Sequence, residues 1–229
     1  MSLSDGSHIG SNTAYLALLS KDSLDLSQDT SNPKPPVLIW DGSSVVGNFA
    51  IQLAKLHGYP VATTCSPRNF DYVKNAGDTY AFDYNDVNVV AKIQKAVPTL
   101  SHVFETIVNT SSSATAAAAL GGRPEVLCTV RPGKANTEGV PSNVRVNDVL
   151  VFRAFPTAHT YRRISSIAEL YEQLSNLLQS NSIVPPPVNV LGGPSPQSVM
   201  NAMMLNRDGK ISAEKLCFEV FSAFEKQHA

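Results

Sequence analysis

Residues 37–57 read VLIWDGSSVVGNFAIQLAKLH, and the reading of this stretch decides the fold. Val37-Leu38-Ile39-Trp40 is a short apolar run bounded by Pro35-Pro36, the pattern of a buried strand. A polar Gly/Ser turn follows, Asp41-Gly42-Ser43-Ser44. Apolar residues then recur at helical spacing: Val46, Phe49, Ala50, Leu53, Ala54 and Leu56. Gly58 closes the helix. Strand, tight turn and helix form the first unit of a dinucleotide-binding domain. Gly42-x-Ser44-x-x-Gly47 fills the frame G-x-G-x-x-G with serine in the middle slot.

Each position in that frame has a physical task. Gly42 permits the turn. A small Ser44 lets backbone approach a pyrophosphate and adds a hydroxyl donor to it. Gly47 lets the helix pack close to the strand. The helix N-terminus offers free N–H groups and a positive dipole end to phosphate. Asp41 works against this, because a carboxylate repels pyrophosphate unless it points outward.

Outward from this unit the same alternation continues. Asn12–Leu19 is expected to be a short apolar helix, and residues 21–34 an exposed connection. Pro60–Cys65 is the second strand, ending in the turn Ser66-Pro67-Arg68-Asn69, which opens a helix over Phe70–Asn75. An NAD site wants Asp or Glu near this strand end to hold the ribose 2′-OH. Here stand Ser66, Arg68 and Asn69, donors suited to a 2′-phosphate, so NADP(H) is the expected cofactor. Tyr80–Tyr84 is the third strand, and Asp86 is expected to cap a helix over Val87–Val97. His102–Ile107, a helix over Thr110–Leu120 and Glu125–Val130 follow, then a sixth strand over Val144–Phe155. A helix over Ile164–Gln179, a strand over Val188–Leu191, a helix over Ser195–Leu205 and a last strand over Leu216–Phe221 complete the chain. Strands alternating with helices imply an α/β fold: a Rossmann-type, doubly wound parallel sheet with flanking helices. Residues 1–34 form an N-terminal segment with a joining helix, 35–155 the nucleotide-binding core, and 156–229 the segments that complete the domain.

Composition bounds the function. The chain has 229 residues, 43% hydrophobic and 16% charged, which suits a globular core. Net charge is −1 with no basic block, against nucleic-acid or membrane partners. No long apolar run or signal pattern is present, so a cytoplasmic protein is expected. Cys65, Cys128 and Cys217 lie far apart in apolar runs, expected as buried free thiols; no metal site is implied. Acid–base candidates are few: His8, His57, His102 and His159, with Tyr161, Arg162 and Arg163 in a loop over residues 156–163.

The run from VLIWDGSSVVG through SPRN to DY at Asp83-Tyr84 resembles the cofactor-binding domain of zinc-free medium-chain dehydrogenase/reductases. The fungal trans-acting enoyl reductases that work beside polyketide synthases are its nearest type. VPPPVNVLGG and DGKISAEKLCFEV resemble that family's final segments. The resemblance implies that Ser43, Ser44, Val45 and Val46 hold phosphate, and that Ser66–Asn69 hold the 2′-phosphate. It places Tyr84 by the adenine, Val130 and Arg131 near the nicotinamide ribose, and Cys217-Phe218 on a strand near the cofactor. Family members carry a GroES-like barrel ahead of this domain, which this chain is expected to lack. Asp41 stands where Gly is usual, and Glu105 where Asp is common. Without the barrel, the surface at Asn12–Leu19 and the strand ends is expected to be exposed and apolar. Either a homodimer through the Val144–Phe155 edge or a ligand would cover it. Three functions follow: an NADP(H)-dependent enoyl reductase-like enzyme, with a polyketide-like substrate and a polyketide synthase partner; a derivative recruited to non-redox cyclisation or isomerisation; or a non-catalytic accessory protein.

Overall fold

The computed structural model describes residues 7–77, 80–107, 111–131, 133–150 and 161–219. Helix α1 spans Ser7–Leu19. The sheet then builds as β1 Val37–Trp40, α2 Val45–Leu56, β2 Val61–Cys65, α3 Phe70–Gly77 and β3 Tyr80–Asp83. The second half adds α4 Val89–Ala96, β4 His102–Glu105, α5 Ser112–Ala118, β5 Val126–Thr129 and β6 Arg145–Asp148. Last come α6 Tyr161–Gln179, β7 Val188–Val190, α7 Pro196–Arg207 and β8 Lys215–Cys217.

The six strands of the main sheet run parallel in the order β3-β2-β1-β4-β5-β6. The expected Rossmann-type doubly wound sheet is therefore present. Strand β1 is covered on both faces, which explains its uninterrupted apolar run. Val37 and Ile39 join a core with α1, α2 and α3, through Leu16, Phe49, Ile51 and Val73. Leu38 and Trp40 face the other way, onto α4 and α5, through Ile93, Ala116 and Leu120. The period-two alternation of side chains splits one strand between two cores.

Helix α2 is seated by two glycines. A Cβ on Gly47 would lie 2.1 Å from the Asp41 carbonyl oxygen, and one on Gly42 would lie 2.2 Å from the Thr63 hydroxyl. Past its C-cap, His57, Gly58 turns out at φ 80°, as expected of a closing glycine. On its flank, the Gln52 amide exchanges two hydrogen bonds with the Val184 backbone, at 2.9 and 2.6 Å. That clamp ties the segment after α6 to α2.

Four expectations are corrected. Helix α4 begins at Val89, not Val87; Asp86 instead accepts from the Asn88 N–H at 2.8 Å in an Asx turn and pairs with Lys92. Tyr161, Arg162 and Arg163 belong to helix α6, not to a loop. The Asn12–Leu19 surface is covered rather than exposed: Leu16, Ala17 and Leu18 are buried, and the Asn12 amide donates to the Tyr171 hydroxyl of α6 at 3.0 Å. Exposed large apolar side chains lie on α7, at Met200 and Met203, and also at Ile9 near the start of α1 and at Ile107 just past β4. Cys65 and Cys128 are buried free thiols, whereas Cys217 is only half-buried, because β8 pairs with β7 in a separate two-stranded sheet. The sixth strand pairs over Arg145–Asp148 at the sheet edge; residues 151–155, His159 and 220–221 lie outside the described residues. No helix among the described residues is long and apolar enough to cross a membrane.

The seat of α2 gives a direct test. Gly47→Ala sets a methyl against backbone that cannot swing aside, so it is expected to cost about 2–3 kcal/mol in urea unfolding. Gly58→Ala meets open space and pays only for its positive φ, about 1 kcal/mol. Equal losses at the two positions would contradict this account of the helix seat.

Candidate cofactor site

In a doubly wound sheet, neighbouring strands whose crossovers leave on opposite faces open a crevice at their carboxyl ends. Here that switch point lies between β1 and β4, where Trp40 is in register with Glu105. The turn Asp41–Ser44 and the first turn of α2 border it on one side. Thr106, just past β4, borders it on the other. The Thr106 hydroxyl donates to the Trp40 carbonyl at 2.9 Å and lies 3.2 Å from the Ser44 hydroxyl.

Ser44 is the N-cap of α2. Its hydroxyl accepts from the Gly47 N–H at 3.0 Å and lies 3.0 Å from the Asp41 carbonyl oxygen. The hydroxyl expected to meet phosphate is thus engaged inside the turn, because an open helix end takes the nearest acceptor. The Val45 and Val46 N–H groups remain the helix-end donors on the crevice side.

The second strand end gathers part of its predicted set. Ser66 and Tyr84 meet, hydroxyl to hydroxyl, at 3.1 Å. Arg68 is exposed in a short 3-10 turn, Pro67–Asn69. Asn69 is turned inward and donates to the Ser212 hydroxyl at 2.9 Å, so its amide serves the fold. Ser212 lies just ahead of β8, and no local signal in the sequence linked it to this turn. Val130 and Arg131 follow β5; Val130 is half-buried, Arg131 exposed, and the Arg131 N–H donates to the Thr129 hydroxyl at 3.3 Å. Apart from Cys217, on β8 of the separate sheet, and Phe218 after it, the candidate cofactor residues therefore lie along one carboxyl edge, from β3 to β5. Four strand spacings make that edge about 19 Å long, enough for an extended dinucleotide.

Two carboxylates stand at the crevice. Glu105 is fully buried and accepts from the Ile107 N–H at 3.0 Å and from the hydroxyls of Ser112 and Thr129 at 3.0 and 3.1 Å. It binds the ends of β4 and β5 to the start of α5. Asp41 is 7% exposed and does not point outward. Its Oδ1 accepts from the Ser43 hydroxyl at 2.9 Å. Burial raises its carboxyl above the ordinary 3.8, opposed by the Ser43 and Ser44 hydrogen bonds and reinforced by the charge of Glu105. Burial also pushes the Cys65 thiol, at the end of β2, up to about 12, which makes it a poor nucleophile. His57 and His102 are remote: the His57 ring lies 2.9 Å from the Leu53 carbonyl oxygen at the far end of α2, and His102 opens β4 at the opposite edge of the sheet. Burial holds the His102 imidazole below 6.5. The His8 side chain lies outside the described residues, and among these no metal-ligand cluster occurs.

The residues present fit a dinucleotide in the main. The cradle that a Cβ on Gly42 or Gly47 would destroy is intact, the helix end is open at Val45 and Val46, and Arg68 is available for a phosphate. The Asp41 carboxylate, in the turn itself, opposes it.

Comparison with known proteins agrees with this fold. A family model described as zinc-binding dehydrogenase matches residues 45–168. Trans-enoyl reductase mpsG of Macrophomina phaseolina (strain MS6) is 34% identical over 210 residues, 85% of this chain and 58% of that protein. Trans-enoyl reductase TwmE of Talaromyces wortmannii is 42% identical over 120 residues, 48% of this chain and 33% of that one. The chain thus spans little more than half the length of the first relative and less of the second. Among solved structures, the CurK enoyl reductase superposes with a TM-score of 0.72 at 16% identity, covering 96% of this chain and 64% of that chain. CurA of Vibrio vulnificus, solved in complex with NADPH, gives 0.62 at 16% identity, covering 91% and 61%.

The raised Asp41 carboxyl predicts a pH-dependent stability. Its charge is costlier in the folded state than in the unfolded one, so the penalty grows as pH rises from 3.8 through the folded value. Asp41→Asn keeps an acceptor for Ser43 and removes the charge. It is expected to raise the thermal midpoint at pH 7, with a gain that shrinks as the pH falls toward 3.8. A change in midpoint independent of pH would contradict the assignment.

Proposed function

The chain belongs to the zinc-binding dehydrogenase family, as the cofactor-binding part of a medium-chain dehydrogenase/reductase, and we propose that it binds NADP(H) as an enoyl reductase-like protein of fungal polyketide-type metabolism. One observation carries the cofactor assignment. The glycine-seated turn opens the N-terminus of α2 at the β1–β4 switch point, with Arg68 on the same edge and no acidic residue within the Ser66–Asn69 turn. Helix-end N–H groups receive the pyrophosphate. The guanidinium of Arg68 and the hydroxyls of Ser66 and Tyr84 receive the adenosine end and its 2′-phosphate. Val130 and Arg131 border the opposite end.

Bound NADPH supplies a hydride. The part of this chain is to hold and orient the cofactor along the strand ends. The substrate class follows the relatives: mpsG and TwmE are named trans-enoyl reductases, which supports a polyketide-like enoyl substrate, a polyketide synthase partner and a cytoplasmic setting. The position of β6 at the end of the sheet order, with β5 its neighbour among the described strands, supports a homodimer through that strand.

Calorimetric titration tests the assignment. NADPH is expected to bind more tightly than NADH. Arg68→Ala is expected to weaken NADPH about tenfold or more and leave NADH unchanged, since the guanidinium meets only the extra phosphate. A preference for NADH, or NADPH binding indifferent to Arg68, would overturn the NADP(H) site.

A further inference from the structure

The turn after β1 contains an anion of its own. Asp41 leaves the strand at φ 66°, in the left-handed region that Asp and Asn tolerate better than other residues with a side chain. Its Oδ1 accepts the Ser43 hydroxyl at 2.9 Å, and the Ser43 N–H bonds to the carboxylate as well. Donors of this kind, a loop N–H and a hydroxyl beside a helix N-terminus, are what a phosphate collects at such a turn. The carboxylate is buried, and among the described residues no cation offsets it. The ionisable groups around it are Glu105 from β4 and the Cys65 thiol from β2; α2 carries only Lys55, in its last turn.

The geometry points to Asp41 as an internal competitor of the cofactor's pyrophosphate. Its carboxylate occupies the Ser43 donors and sets a negative charge beside the two helix-end N–H groups left for phosphate. This role rests on the NADP(H) site proposed above and adds to it a determinant of affinity. The competition acts on the middle of a dinucleotide and not on its 2′-phosphate end, which lies across β2 at Arg68. The site therefore discriminates by phosphate position: a ligand with only the 2′-phosphate is indifferent to Asp41, and one with a pyrophosphate is penalised by it.

The test uses three proteins, the wild type, Asp41→Gly and Asp41→Asn, and two probes, NADPH and adenosine 2′-monophosphate, followed by calorimetry. Glycine removes the competitor at a φ that suits it, and asparagine removes only the charge. Thermal unfolding checks that each is folded. Both variants are expected to bind NADPH about tenfold more tightly or better, as expected for removal of a poorly screened like charge near a polyanion. Adenosine 2′-monophosphate is expected to bind all three equally. The difference between wild type and Asp41→Asn for NADPH should shrink as acid protonates Asp41. Unchanged or weaker NADPH binding by both variants, with adenosine 2′-monophosphate still bound, would overturn the competitor role and leave the NADP(H) site standing. Failure of every protein to bind either probe would overturn both.

Discussion

Helix α2 starts where it does only because Gly47 has no side chain. The Asp41 carbonyl oxygen sits where a Cβ would go, 2.1 Å away. That contact sets the first turn of the helix directly on the end of β1. Everything in the crevice depends on it. It fixes the direction of the helix dipole, the height of the Val45 and Val46 N–H groups above the sheet, and the position of the Ser44 cap. With Gly42 pressed against Thr63 of β2, the turn has no room to relax in either direction. Two close packings thus convert an ordinary strand-to-helix connection into a rigid, donor-lined edge.

On that rigid frame the charges are unusual. A site for a polyanion ordinarily offers donors and positive potential. Here two buried carboxylates stand at the switch point. Glu105 is structurally occupied, ringed by the hydroxyls and N–H that hold β4, β5 and α5 together. Asp41 is different: its donors are the Ser43 and Ser44 side chains and the Ser43 N–H, all from its own turn, and burial makes its charge costly. The positive contribution comes from the far side, at Arg68. On the proposed NADP(H) reading, the affinity of the edge for a dinucleotide would be the balance of a favourable 2′-phosphate end and an opposed pyrophosphate middle.

Most of the fold was legible in the sequence because its signals are local. The apolar run Val37–Trp40, the spacing of Phe49, Leu53 and Leu56, and the glycines at 42, 47 and 58 each state their own structure. The parallel, doubly wound sheet followed from the βαβ alternation. What was not legible depended on contacts between distant segments. Nothing near Asn12 showed that Tyr171 would meet it, so α1 was expected to be bare. Asn69 read as a phosphate donor because its partner, Ser212, comes from a segment 143 positions away. Ser44 read as a ligand for phosphate, whereas a helix end captures a neighbouring hydroxyl first. Thr106 was missed, although its place just after a strand at the switch point is the kind of position where such residues gather. The conflict at Asp41 was visible in the sequence; the structure supplied its direction, inward rather than out.

The central claim is that the open end of α2 and the Arg68 turn act together as one dinucleotide site. The most direct measurement is the shift of backbone amide resonances as NADPH is added to isotope-labelled protein. The account predicts coincident shifts at Val45, Val46, Arg68 and Tyr84, titrating with a single affinity. Shifts confined to other surfaces, such as the flank of α2 where Gln52 meets Val184, or movement at Arg68 without movement at Val45 and Val46, would contradict it.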